Sequence, residues 1–288
     1  MKLIPWILLN GSPVFNDIRE RWNAMLNNAS LPEEVYQAFL ADHAGFFFPF
    51  STGWREQAVV AKLQLANNHV TDFVVACNDR SGGFQYIFIE LESPHTPPFI
   101  KTGNPSARLN TSVQQIHDWQ RWLEQNRHVA KKLFPSKQFI VTDDSNFKFL
   151  IIIGRRDSSE EFLAQRNYYS QKLGIEIRSF DYITDVMNSK RFESFTWISH
   201  DLHAVISDVE NNAFSNPFFR AYTDAEWRSI VNSTKLSISH MIGHNLSLLL
   251  EKRSYNTVAL QKFMDYLSAI SEENRVIPEW EYDRLTLT

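Results

Sequence analysis

The chain has 288 residues, 43% of them hydrophobic and 22% charged, with a formal net charge of -4. That is a soluble, globular composition and not a disordered one, and it fits one large domain or a core with an accessory region. The slight acidity argues against tight non-specific nucleic-acid binding by bulk charge, so any phosphate-binding charge has to be local. The single cysteine, Cys77, rules out an intrachain disulfide and a cysteine-rich zinc cluster.

The N-terminal apolar run Leu3 to Leu9 is short, interrupted by Pro5, and lacks a small-residue cleavage site. No signal peptide or membrane span is expected, and the expected location is the cytoplasm. Residues 16–29 place Ile18, Trp22 and Met25 on one helical face. A second helix opens at Ser30-Leu31-Pro32-Glu33-Glu34, where proline suits the first turn and the acids complement the helix dipole. From Val59 to Leu65 the period changes to alternation, which predicts a strand. After a turn at Asn67-Asn68-His69, further strands are predicted at about Thr71–Asn78 and Phe84–Glu92, joined through Gly82-Gly83 as an antiparallel meander.

A proline-rich loop from Pro94 to Pro105 precedes a long helix over roughly Ser106–Lys132, with Val113, Ile116, Trp119, Trp122 and Leu123 on its apolar side. Strands are predicted at Phe139–Val141, Phe149–Ile153 and Ile175–Arg178, with helices over 159–173 and from Asp181. Beyond about residue 200 the pattern is helical. The fold class is therefore α/β, a mixed central sheet with flanking helices, plus a C-terminal helical region. The expected division is an N-terminal helical segment at 1–29, a core at 30–195 and an accessory region at 196–288.

The chemistry-bearing residues cluster around the second and third strands. Asp72 opens one strand, and Glu90-Leu91-Glu92 ends the apolar run Tyr86-Ile87-Phe88-Ile89. If these strands pair, both carboxylates converge at one end of the sheet. Glu90 and Glu92, two apart, share a face. Magnesium takes oxygen ligands and can neutralise a phosphodiester while activating water, so such a set suits metal-assisted hydrolysis. The competing account of Glu90 is a structural salt bridge, with Lys62 as the candidate partner. On the long helix Gln115 and Trp119 lie one turn apart. Gln115 is a candidate to bond a phosphate or a metal-bound water. Lys101, Arg155 and Arg156 are candidate phosphate contacts. No P-loop, Gly-x-Ser-x-Gly elbow or His-Glu-x-x-His motif is present.

Taken in order, Asp72-Phe73-Val74, Ile89-Glu90-Leu91-Glu92-Ser93-Pro94, Gln115-x-x-x-Trp119, Ile152-Ile153-Gly154-Arg155-Arg156 and Ile175-Glu176-Ile177 followed by Phe180-Asp181-Tyr182 resemble the nuclease domain of Shedu-type anti-phage defence proteins. That domain belongs to the PD-(D/E)XK nuclease superfamily, and the resemblance covers roughly residues 30–190. It implies a restriction-endonuclease-like αβββαβ core, a Mg²⁺ cofactor with Mn²⁺ as a substitute, and DNA, of phage or plasmid origin, as the partner. A homo-oligomer is a further expectation. Carried over, Asp72, Glu90 and Glu34 (with Glu33 as the lesser alternative) hold metal, and Gln115 and Trp119 match the helix motif, with Trp for the usual Tyr, which puts Trp119 at the substrate. Glu92 stands where the superfamily usually has lysine. It would position water or bind a second ion, with Lys62 or Lys101 supplying positive charge in space. A site degenerate for catalysis, which binds DNA or a protein, is the alternative implication.

Overall fold

A computed structural model describes residues 6–48, 57–66, 69–78, 84–134, 146–189, 223–225, 228 and 257–270. A five-stranded mixed sheet organises them. Its strands are β1 (Gln57–Ala61), β4 (Phe73–Asn78), β5 (Phe84–Leu91), β6 (Phe147–Ile152) and β7 (Glu176–Arg178), in that spatial order. β1, β4 and β5 pair antiparallel, while β5, β6 and β7 run parallel. The expected meander is thus present, and the alternation of strand and helix in the second half gives the parallel part. A separate small hairpin, β2 (Gln64–Ala66) with β3 (His69–Val70), joins β1 to β4.

The strand expected over Val59–Leu65 is broken. Lys62 adopts φ 51°, the left-handed conformation, and the chain leaves the main sheet there to form the small hairpin. Such a φ costs a lysine about 1 kcal/mol, so the surroundings must hold it. Two backbone bonds do so: Lys62 N–H to the Asp72 carbonyl (2.9 Å) and Thr71 N–H to the Leu63 carbonyl (2.9 Å).

Alternation along the strands divides the core into two layers. One face carries Val74, Phe88 and Ile151 against α4 (Ala107–Gln125), α5 (Arg127–Leu133) and α6 (Glu160–Leu173). The other carries Phe73, Val75, Ile89, Leu91, Leu150 and Ile152 against α1 (Pro13–Leu26), α2 (Glu33–Asp42), α3 (Ala44–Phe47), α7 (Phe180–Ser189) and α8 (Thr257–Ala269). Helices therefore cover both faces of the sheet. Trp22 of α1 sits at the centre of the second layer, 4.9 Å from Phe47 and 6.0 Å from Phe180 between ring centroids. Its indole N–H donates to Thr184 Oγ1 at 2.9 Å. Helices α1 and α8, from the two regions expected to flank the core, pack into this same layer.

Helix boundaries follow local chemistry. Ser12, Ser106 and Ser159 each accept a backbone N–H at the start of α1, α4 and α6. The long helix expected to reach Lys132 is interrupted at Asn126, whose side-chain amide donates to the Trp122 carbonyl at 2.9 Å. This satisfies a terminal carbonyl of α4 and ends its last turn. The strand expected at Phe139–Val141, the Gly82-Gly83 turn and most of the expected C-terminal helical region lie outside the described residues.

Candidate functional site

The pairing register lines up the acidic residues. Val60 faces Val74 on β4, and Val74 faces Phe88 on β5. Two residues further, just beyond the paired ends of β1 and β4, stand Lys62 and Asp72, with Glu90 on β5 beside them. Lys62 Nζ lies 2.8 Å from Asp72 Oδ1, and Gln37 of α2 also donates to that oxygen. Asp72 Oδ2 accepts the Leu91 backbone N–H at 2.8 Å. Asp72 is 8% exposed, and both its oxygens are bonded. The salt bridge weighed for Lys62 is real, but its partner is Asp72 and not Glu90.

Glu90 and Glu92 continue the face of Phe88 and meet α4. Gln115 Nε2 donates to Glu90 Oε2 at 3.0 Å, and Ser112 Oγ donates to Glu92 Oε1 at 2.8 Å. Gln115 thus lies beside the carboxylates, as expected. Ser112 was not singled out from the sequence. Its signal was available, because it stands three residues before Gln115 and so shares its helical face. Both glutamates are buried, at 7% and 5% exposure.

The fourth carboxylate is Glu33 and not the favoured Glu34. Pro32 is the N-cap of α2, so Glu33 is its first residue. Glu33 therefore shares a face with Tyr36 and Gln37, three and four residues on, and Gln37 is the residue that bonds Asp72. Glu34, turned about 100° around the helix, is exposed. Burial, then the charges of Glu92 and Asp72, push the Glu33 carboxyl up to about 7, against the opposing pull of Arg108. Burial also dominates at Glu90. With Asp72, Glu92 and Glu33 adding to it, and Lys62 only partly offsetting them, that carboxyl is pushed up to about 10.

The cluster is therefore electrostatically one-sided. Among the described residues, Glu33, Glu90 and Glu92 have no basic group within ion-pair distance, and Lys62 alone faces Asp72. Carboxylates buried together in this way are costly unless a proton or a cation relieves them. The donor chemistry, all oxygen and all acidic, fits a hard divalent ion. The positions are a different matter: among the described residues no three His, Cys, Asp or Glu side chains are gathered so as to hold a metal ion. The carboxylates are instead tied back to Lys62, Gln37, Gln115 and Ser112.

The remaining candidates lie away from this cluster or serve the fold. Trp119, expected at the substrate, is wholly buried in the layer between sheet and α4, 6.4 Å from Phe88. One turn beyond Gln115, it points into the core because the helix presents that stretch to the sheet. Its indole N–H has no hydrogen-bond partner among the described residues. Arg155, expected to meet phosphate, forks onto Asp181 (Nη2–Oδ1 2.9 Å) and donates to the Leu26 carbonyl at 2.7 Å. It thereby pins the end of α1 to the start of α7. Arg156 is exposed and paired with Asp185. Lys101 is exposed on the turn closed by the Ile100 N–H to Asn104 carbonyl bond, and forms no ion pair among the described residues.

All four carboxylates, Gln37, Lys62, Ser112 and Gln115 fall inside one segment that matches a known family. The family model is described as Shedu protein SduA, C-terminal, and it matches residues 30–183, more than half of the chain. The chain belongs to the Shedu family. No curated protein sequence matches it. The Shedu segment runs from just before α2 into α7, so it contains the whole sheet and the α4 face that bonds Glu90 and Glu92. Membership suggests a role in anti-phage defence. Among the described residues, no helix is long and apolar enough to cross a membrane.

Proposed function

We propose that this Shedu-family chain is a divalent-cation-dependent endonuclease that hydrolyses DNA phosphodiester bonds in anti-phage defence. The carrying observation is the set of four carboxylates at one end of the β4–β5 pair, Asp72, Glu90 and Glu92 buried and Glu33 half-buried, with a single, exposed lysine beside them. Stability alone gives no reason to keep like charges together out of water, so their retention favours a site over a scaffold. The resemblance to the PD-(D/E)XK superfamily supports the same reading.

Asp72, Glu90 and Glu33 are the residues that would hold the ion, which requires their carboxylates to draw together from the positions they hold in this structure. When bound, Mg²⁺ or Mn²⁺ supplies charge neutralisation on the phosphate and activation of water. The protein's own groups do the rest. Lys62 provides the positive charge that Glu92, at the usual lysine position, does not. It reaches the site from just past the end of β1, where its ammonium bonds Asp72 Oδ1. Gln115 orients Glu90, and Ser112 orients Glu92. The Leu91 N–H and Gln37 fix the plane of the Asp72 carboxylate.

Cleavage of supercoiled plasmid and linear DNA with Mg²⁺ or Mn²⁺ tests the reading. The wild type nicks DNA, and Glu90→Ala and Asp72→Ala do not. Equal cleavage by all three removes the assignment. A second reading is favoured by the engaged oxygens of Asp72 and by Glu92: a nuclease fold degenerate for catalysis that binds DNA or a partner protein. It predicts retention of DNA without cleavage and no calorimetric Mn²⁺ binding. Mn²⁺ binding that Glu90→Ala abolishes would exclude it.

A further inference from the structure

Away from the carboxylates, the C-terminal ends of β6 and β7 open into a cavity of about 260 Å³. Its walls come from α6 and α7, and it is small for a ligand site. Phe162 and Leu163 of α6 and Ile153 and Ile177 of the sheet give it an apolar floor. Three guanidinium groups, Arg156, Arg166 and Arg178, reach it.

The three arginines differ in how they are satisfied. Arg156 is paired with Asp185. Arg178 is held by Glu176 (Nε–Oε1 2.6 Å) and lies 5.1 Å from the centre of the Tyr182 ring. Arg166 has no carboxylate within ion-pair distance among the described residues, and its one hydrogen bond goes to the Asn167 amide oxygen at 3.3 Å. Asp157, the other acid on the wall, is turned to the Ser159 N–H at 2.8 Å, where it serves the start of α6. Arg166 is half-buried, and both burial and the charge of Arg178 hold it below the ordinary arginine range. Two guanidiniums kept close in a partly dry cavity form a fork for an anion with several acceptor oxygens.

We propose that this cavity is a subsite for the phosphate of a nucleotide, with Arg166 and Arg178 on the phosphate oxygens and Phe162 and Leu163 against the attached sugar or base. Glu90 and Arg178 stand near the same end of β5 and β7, one strand apart, and the register puts their side chains on opposite faces of the sheet. The inference goes beyond the nuclease reading and does not depend on it, because binding here involves none of the four carboxylates.

The test is equilibrium binding to the full chain in EDTA, which keeps any metal-dependent cleavage silent. The probes are thymidine monophosphate, thymidine, inorganic phosphate and an oligothymidylate octamer. Thymidine monophosphate binds and thymidine does not. Arg166→Gln weakens binding at least about tenfold, and Ser158→Glu, which adds a negative charge at the exposed mouth, does the same. Arg121→Gln, on the exposed side of α4, changes nothing. Tighter binding of the octamer assigns the phosphate to a strand, and tighter binding of the monophosphate assigns it to a free nucleotide. Absence of monophosphate binding, or equal affinity in wild type and both cavity variants, overturns the proposal. Loss of cleavage in Glu90→Ala with monophosphate binding intact would show the two sites to be separate.

Discussion

Replacing Glu90 by glutamine should make the protein more stable at neutral pH, although it removes a central residue of the candidate site. In the folded chain the carboxyl is buried among Asp72, Glu92 and Glu33, and it keeps its proton far above its ordinary value of 4.5. In the unfolded chain it ionises near that ordinary value. Between the two, the folded state binds more protons, so stability falls as pH rises. The stabilising contribution of this group is fully present below pH 4.5 and is lost progressively up to the folded value. At pH 7.5 the unfolded chain has gained three pH units of ionisation free energy, an upper bound of about 4 kcal/mol. Glutamine stays neutral throughout and can keep the bond from Gln115, so a gain of roughly 2–4 kcal/mol is expected at pH 7.5, shrinking to nothing near pH 4.5. Urea unfolding followed by tryptophan fluorescence, in EDTA, over pH 5 to 8 measures this. Mn²⁺ should then stabilise the wild type more than Glu90→Gln. A variant less stable than wild type at pH 7.5, or a difference that does not change with pH, would refute the electrostatic account of the cluster.

Lys62→Met should reduce any DNA cleavage by more than tenfold, whereas Lys101→Met, on its exposed turn, should leave cleavage near wild type; parallel plasmid assays decide it. Trp119→Ala should cost about 3–5 kcal/mol through the cavity it leaves, while Trp119→Phe should keep DNA binding intact, which equilibrium unfolding and filter retention would show. Gly154→Ala should destabilise by about 1–3 kcal/mol, because φ is +71° and a Cβ there would meet the Thr96 carbonyl oxygen at 2.8 Å; the urea midpoint is the readout. Arg155→Met should loosen the start of α7 by removing the fork on Asp181, and hydrogen exchange at Tyr182 and Ile183 should rise, an outcome that an unchanged exchange pattern would contradict.

The strands that build the site were legible because burial imposes a strict period on them. Phe73 to Ala76 and Tyr86 to Leu91 are buried on both faces or alternate cleanly, and a one-residue slip would have put Glu90 into the second apolar layer. Registration of Asp72 opposite Glu90 followed from that pattern once the two strands paired. The break at Lys62 was not legible, since nothing in Val-Val-Ala-Lys-Leu distinguishes a left-handed lysine from one in a continuing strand. Only the tertiary pull of Asp72 and the backbone bonds of the small hairpin make it stable. The choice between Glu33 and Glu34 turned on a single residue of helix register, which the N-cap sets and a sequence reading resolves only to within a residue or two. Arg155 was misjudged for a related reason. Its partner Asp181 lies 26 residues on, brought back by the crossover through α6 and β7.

The arrangement of Lys62 also bears on what Glu92 can do. A lysine two residues after Glu90 would stand on the α4 face, where Ser112 now bonds Glu92. Glu92 keeps that position acidic, and the positive charge comes from the opposite side of Asp72, from Lys62 just past the end of β1. The charge balance of the site is thus set by a contact between two adjacent strands instead of by one strand alone. Exchanging the two, Lys62→Glu with Glu92→Lys, separates the possibilities. If the site works by the sum of its charges, the double variant should cleave DNA better than either single change. If the Lys62 ammonium must sit against Asp72 Oδ1, the double variant should be no better than Lys62→Glu alone, and position, not net charge, decides the chemistry.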